Sequence, residues 1–117
     1  SGTGGATFAL ADDGTVAVGG ERPDKDAYTL IAQPGAGRVG ALRLDALSAP
    51  DLPQGGPGRA DDGAFRVSEV AVDVLRAGGK RERAKVLRAS ASHSQPEKGA
   101  SLAVDGDPGT TWAIGPE

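Results

Sequence analysis

The sequence predicts an all-β domain, a sandwich or jelly roll. Three observations lead there. Short runs of alternating apolar and polar residues recur along the chain, with turn residues between them. Turn signals every 8–12 residues are the mark of such folds. Gly and Pro supply 27 of 117 residues, while no strand–helix–strand pattern and no internal repeat is present.

The elements follow in order. Residues 6–10 alternate and end in Asp12-Asp13-Gly14, and residues 15–18 resume the alternation, which reads as a hairpin. Residues 28–32, with Tyr28 and β-branched neighbours, read as a strand. Residues 39–47 place Leu42, Leu44 and Ala46 on one face and Ala41, Arg43 and Asp45 on the other, the period of a half-buried strand. Residues 48–63 form a loop of 16 residues rich in Pro, Gly and Asp; loops of that length are usually functional or mobile. Residues 65–74 read as a strand whose inward set changes phase at Val70, as at a β-bulge. Residues 76–85 are charged and contain Gly78-Gly79, an exposed loop or a frayed helical turn. Residues 86–92 read as a strand, and residues 101–104 as a short apolar segment before the stretch ending at Trp112.

Composition bounds the function. The mass is 11.6 kDa, one domain spanning 1–117. The 22 Leu, Ile, Val and Phe residues make a thin core. Net charge is −3, which gives no overall basic footprint for duplex nucleic acid. No apolar run approaches the roughly 18 residues of a membrane span. Cys is absent, which excludes disulfides, thiolate metal sites and thiol nucleophiles. Met and a hydrophobic leader are also absent, so the sequence reads as a piece of a longer protein.

Catalytic motifs fail one by one. Gly78-Gly79-Lys80 lacks the upstream glycine and the following Ser or Thr of a phosphate loop. His93 is the only histidine and no nucleophile elbow accompanies it. Asp12-Asp13 and Asp61-Asp62 sit in turn contexts that favour local hydrogen bonding. The chain is therefore expected not to be an enzyme.

One stretch carries chemistry: Asp105-Gly106-Asp107-Pro108-Gly109-Thr110-Thr111-Trp112. Two carboxylates separated by Gly, with the Thr110 hydroxyl, supply hard oxygen ligands of the kind Ca²⁺ takes. The alternative is an Asp-Gly turn closed by its own hydrogen bonds. Trp112 is read as core, with a sugar-stacking platform as the alternative. Arg59, Asp61 and Asp62 are loop candidates for hydrogen bonding sugar hydroxyls, and Tyr28 for the aromatic face of such a site. Tyr28 also fits a half-buried strand position. Arg43 and Glu69 are candidates for a cross-strand ion pair or for lining a groove.

The segment from Ala89 through Asp105-Gly106-Asp107-Pro108 to Trp112, 24 residues, resembles the opening of discoidin-type (factor V/VIII C-type, galactose-binding-like) domains. The resemblance implies a jelly roll that binds glycans or lipid head groups, with a structural Ca²⁺ held by Asp105, Asp107 and Thr110. A longer series is similar to a β-sandwich domain of large planctomycete surface or secreted proteins, where it accompanies cytochrome-c-like modules. It comprises Gly4-Gly5-Ala6-Thr7, Asp13-Gly14-Thr15, residues 23–29, 41–47 and 52–60, and Gly63-Ala64-Phe65-Arg66-Val67-Ser68-Glu69. This chain has Ala64 where that family is expected to carry Asn. Together the resemblances imply a non-catalytic carbohydrate-binding-like module, extracellular, at the cell surface or periplasmic. The partner would be a polysaccharide or glycan. Both families continue with several strands after the Trp, so the jelly roll is expected to lack its last strands here and to be completed by neighbouring domains or a second chain. A structural docking domain within a large surface protein is the alternative function.

Overall fold

The structure is a computed structural model and describes residues 1–35 and 37–115. It is strand-rich with little helix. The strands are β1 (Ala6–Leu10), β2 (Val16–Gly20), β3 (Phe65–Val67), β4 (Asp73–Leu75), β5 (Arg81–Arg83) and β6 (Trp112–Ile114). Two 3₁₀ turns, Pro53–Gly55 and Ala100–Ala103, are the helical elements among the described residues. The strands form three two-stranded antiparallel ladders, β1–β2, β3–β6 and β4–β5. The chain divides into two compact units, Ser1–Arg43 and Leu44–Glu117.

The first unit is the predicted hairpin with a short third edge. β1 and β2 pair from Ala6 opposite Gly20 to Leu10 opposite Val16. Asp13 closes the turn, its Oδ1 accepting from the Thr15 amide at 3.0 Å and hydroxyl at 2.7 Å. Residues 1–3 then pair with residues 27–29 through Thr29 N to Ser1 O (2.7 Å) and Thr3 N to Ala27 O (3.2 Å). Asp26 fastens this pairing. Its Oδ1 accepts from the amides of Thr3, Gly4 and Ala27 and from the Thr3 hydroxyl, at 2.8–2.9 Å. Burial pushes the Asp26 carboxyl up, but those four hydrogen bonds outweigh it and hold the group below its ordinary range. The Phe8 and Tyr28 rings meet edge to face at 5.1 Å.

The second unit holds the buried residues Ala64, Ala103, Trp112 and Ala113. β3 and β6 bring Phe65 opposite Ile114 and Val67 opposite Trp112. The Phe65 ring stands edge-on to the indole at 6.0 Å. Within residues 48–63, Gly58 passes close to the start of β3. Gly58 is buried, and a Cβ there would lie 1.7 Å from the Ala64 carbonyl oxygen, so the close passage of the two segments requires glycine.

Several strand assignments change. Residues 39–47 and 86–92 adopt no regular structure, and residues 28–32 are reduced to a bridge between Gly2 and Tyr28. Alternation marks residues able to half-bury a strand face, but a strand also needs a neighbouring strand in a ladder, and among the described residues no strand lies in a ladder with 39–47. The phase change in residues 65–74 is a break between β3 and β4, which belong to different ladders. Residues 76–85 form the turn and second strand of the β4–β5 hairpin. Gly78 (φ 92°) and Gly79 (φ 86°) supply the left-handed turn geometry that L-residues resist. Residues 100–103 are a 3₁₀ turn.

Candidate functional site

The Asp105–Trp112 loop runs from the second 3₁₀ turn into β6, so Trp112 anchors its far end in the core. The indole N–H donates to Ser94 Oγ at 3.1 Å and lies 3.4 Å from the His93 carbonyl oxygen. Asp105 Oδ1 accepts from the Asp107 amide at 2.9 Å, and Oδ2 accepts from the Thr110 hydroxyl at 2.7 Å. Asp107 Oδ1 accepts from the Gly109 amide at 2.8 Å. Thr110 Oγ1 also lies within reach of the carbonyls of Asp107 (3.0 Å) and Leu102 (3.2 Å). The Thr110 hydroxyl, then the Asp107 amide, hold the Asp105 carboxyl below the ordinary carboxylate range.

Glu69 joins this loop, its Oε2 accepting from the Gly106 amide at 3.2 Å. No local spacing signals that contact, because it spans 37 residues. Glu69 lies in the second unit and Arg43 in the first.

As arranged, the donor set serves a hydrogen-bonded Asx turn. Both oxygens of Asp105 and one of Asp107 accept from the loop itself. Among the described residues, no three His, Cys, Asp or Glu side chains gather closely enough to hold one metal ion, whereas Ca²⁺ takes about 6–8 oxygens.

The ligand candidates fall into two places. Arg59 is half-buried and Asp61 exposed in the 48–63 loop. Asp62 works for the fold: its Oδ1 accepts from the Ala64 amide at 2.9 Å and its Oδ2 pairs with Arg66 at 2.5 Å. The Arg66 guanidinium and the Ala64 amide hold the Asp62 carboxyl low. Tyr28 belongs to the first unit and is 46% exposed. His93 is an exposed loop residue.

Among the described residues no helix is long and apolar enough to cross a membrane. Comparison with protein-family models, characterised proteins and solved structures finds no match.

Proposed function

We propose that the chain is a non-catalytic β-rich module that docks against neighbouring domains of its parent protein, with added strands completing a jelly-roll sandwich. One observation supports this most strongly. The buried apolar set is three alanines and one tryptophan, while most of the leucine and isoleucine side chains lie outside: Ile31 is 90% exposed, Leu87 84% and Leu10 77%, with Leu30, Leu42, Leu44, Leu47 and Leu75 also exposed. Burying each would gain about 1.5–3 kcal/mol. The ladders are two strands wide, and isolated two-stranded ladders are marginal in water. The test is binding of a hydrophobic fluorescent dye, bis-ANS, to the purified chain. Enhanced emission that falls in a Leu42→Ser/Leu44→Ser variant and in a Leu87→Ser variant supports docking. Emission no greater than that of a closed globular control overturns it.

A second reading, glycan binding with a structural Ca²⁺, is favoured by the Asp105–Thr110 loop. Here Asp105, Asp107 and Thr110 would hold the ion, and an extracellular polysaccharide would meet either Arg59, Asp61 and Asp62 in the second unit or, separately, Tyr28 in the first. It also accords with the resemblance to discoidin-type and planctomycete surface domains. A glycan array read in calcium and again in EDTA tests it: a defined sugar class bound in calcium supports the reading, and silence in both from folded protein removes it.

A further inference from the structure

The β4–β5 hairpin and the five residues after it concentrate positive charge in an otherwise acidic chain. Residues 73–88 hold six cations, Arg76, Lys80, Arg81, Arg83, Lys85 and Arg88, against the carboxylates of Asp73 and Glu82, a net of +4; the rest of the chain carries −7. Each carboxylate is shared by two cations. Asp73 pairs with Arg81 at 2.6 Å and also with Arg83; Glu82 pairs with Arg76 at 3.1 Å and Lys80 at 3.2 Å. One positive charge per cluster is therefore left over. All six cations are exposed.

The backbone of the same hairpin has an open edge. Ala84 N donates to Val72 O at 2.9 Å and Arg76 N to Lys80 O at 2.8 Å. Antiparallel ladders alternate bonded and non-bonded pairs, so with Asp73 opposite Arg83 and Leu75 opposite Arg81, the amides and carbonyls of Arg81 and Arg83 point away from β4. Among the described residues no strand pairs with that edge. Leu75 (71% exposed) and Val74 are exposed on β4, opposite Arg81 and Glu82, and Leu87 is exposed in the segment that follows β5.

We propose that the β5 edge takes up an extended, alternately acidic and apolar segment of a partner protein as an added strand. The proposal rests on the docking reading and names the chemistry of what docks there. The register sets the pattern. Residues opposite Arg81 and Arg83 share their face, about 7 Å apart, and are matched by carboxylates. The residue between them stands opposite Glu82, where a like charge is unfavourable and the carboxylate already pairs with Arg76 and Lys80, which leaves an apolar side chain as the match on that face. Strand addition of this kind draws affinity from main-chain hydrogen bonds and specificity from alternate side chains. The aliphatic neighbours, and the absence of any aromatic residue in 73–88, favour a peptide over a sugar ring or a stacked base.

The test uses the whole chain and a fluorescein-labelled peptide of four Glu-Val repeats, read by anisotropy and by amide NMR. Expected results are saturable binding, slowed exchange of the Arg81 and Arg83 amides, and at least tenfold weaker binding on adding about 0.5 M NaCl, where screening is strong. Arg81→Glu/Arg83→Glu should abolish binding. Arg81→Gln/Arg83→Gln, which keeps hydrogen-bond donors toward Asp73, should weaken it at least tenfold with the native spectrum retained. Three results would each overturn the proposal: no binding, equal binding by a Glu-Ser repeat or by heparin, or binding that leaves the β5 amides unshifted. If these occur while the leucine variants still lower bis-ANS emission, the hairpin assignment fails and the docking reading stands. A chain that never binds the dye fails the docking reading itself.

Discussion

Replacing Trp112 with Ala removes the one large side chain among the buried residues. Trp112 is 9% exposed, stands edge-on to Phe65 and donates its indole N–H to Ser94. Truncating a buried Trp costs about 3–5 kcal/mol through lost transfer energy and the cavity left behind. About 0.5–1.5 kcal/mol of that belongs to the aromatic pair. A unit whose other buried side chains are those of alanines has little to offset such a loss, so Trp112→Ala should lose cooperative unfolding of the second unit. Trp112→Phe keeps a ring in the core and removes the indole donor, a change of about 0.5–1.5 kcal/mol. The assay is urea denaturation followed by far-UV circular dichroism, since the wild-type fluorescence probe is the residue replaced. An unchanged urea midpoint for Trp112→Ala would refute the core assignment. If glycan binding were lost at the same time, Trp112 would be a ligand platform.

Three further outcomes follow from the geometry. Gly58→Ala forces its Cβ onto the Ala64 carbonyl and should cost about 1–3 kcal/mol, read as a lower thermal midpoint; an unchanged midpoint would contradict the close passage. Arg83 and Arg81 hold the Asp73 carboxyl low, and Arg66 with the Ala64 amide does so for Asp62. Depressed folded-state values mean that their stabilisation is complete above the unfolded carboxylate range of about pH 4 and is lost as pH falls through the still lower folded values. Acid titration by carboxyl NMR should show both groups titrating late; ordinary titration would refute the pairing. Thr110→Val removes the first donor to Asp105 and should let that carboxyl rise toward its ordinary value by the same measurement; no movement would remove Thr110 from the loop's hydrogen-bond network.

One of the two local hairpins was legible in the sequence. The β1–β2 hairpin follows from alternation around Asp13-Gly14, and β1 has the range the alternation indicates. Trp112 is read as core, as the resemblance to discoidin-type domains implies, and the indole is buried. Residues 39–47 carry the alternation of a strand and form none, because alternation reports a face suited to burial, not the presence of a partner strand. The β4–β5 hairpin was hidden because its strands carry charge that reads as a solvated surface, with the folding information held by Gly78 and Gly79. In the candidate site, Asp105, Asp107 and Thr110 do come together. The Glu69 contact was invisible because nothing in either segment encodes a partner 37 residues away. Asp62 was read as a ligand candidate, yet its geometry ties the loop to Ala64 and Arg66, the local role that turn Asp residues favour.

The docking reading is tested most directly by hydrogen exchange measured on the chain alone and on the chain joined to the parent-protein domains that this reading proposes. The account predicts that residues 28–32, 39–47 and 84–88, which hold most of the exposed aliphatic side chains, exchange at least tenfold more slowly in the parent. Identical exchange in both settings would show that these surfaces meet only water, and would contradict docking.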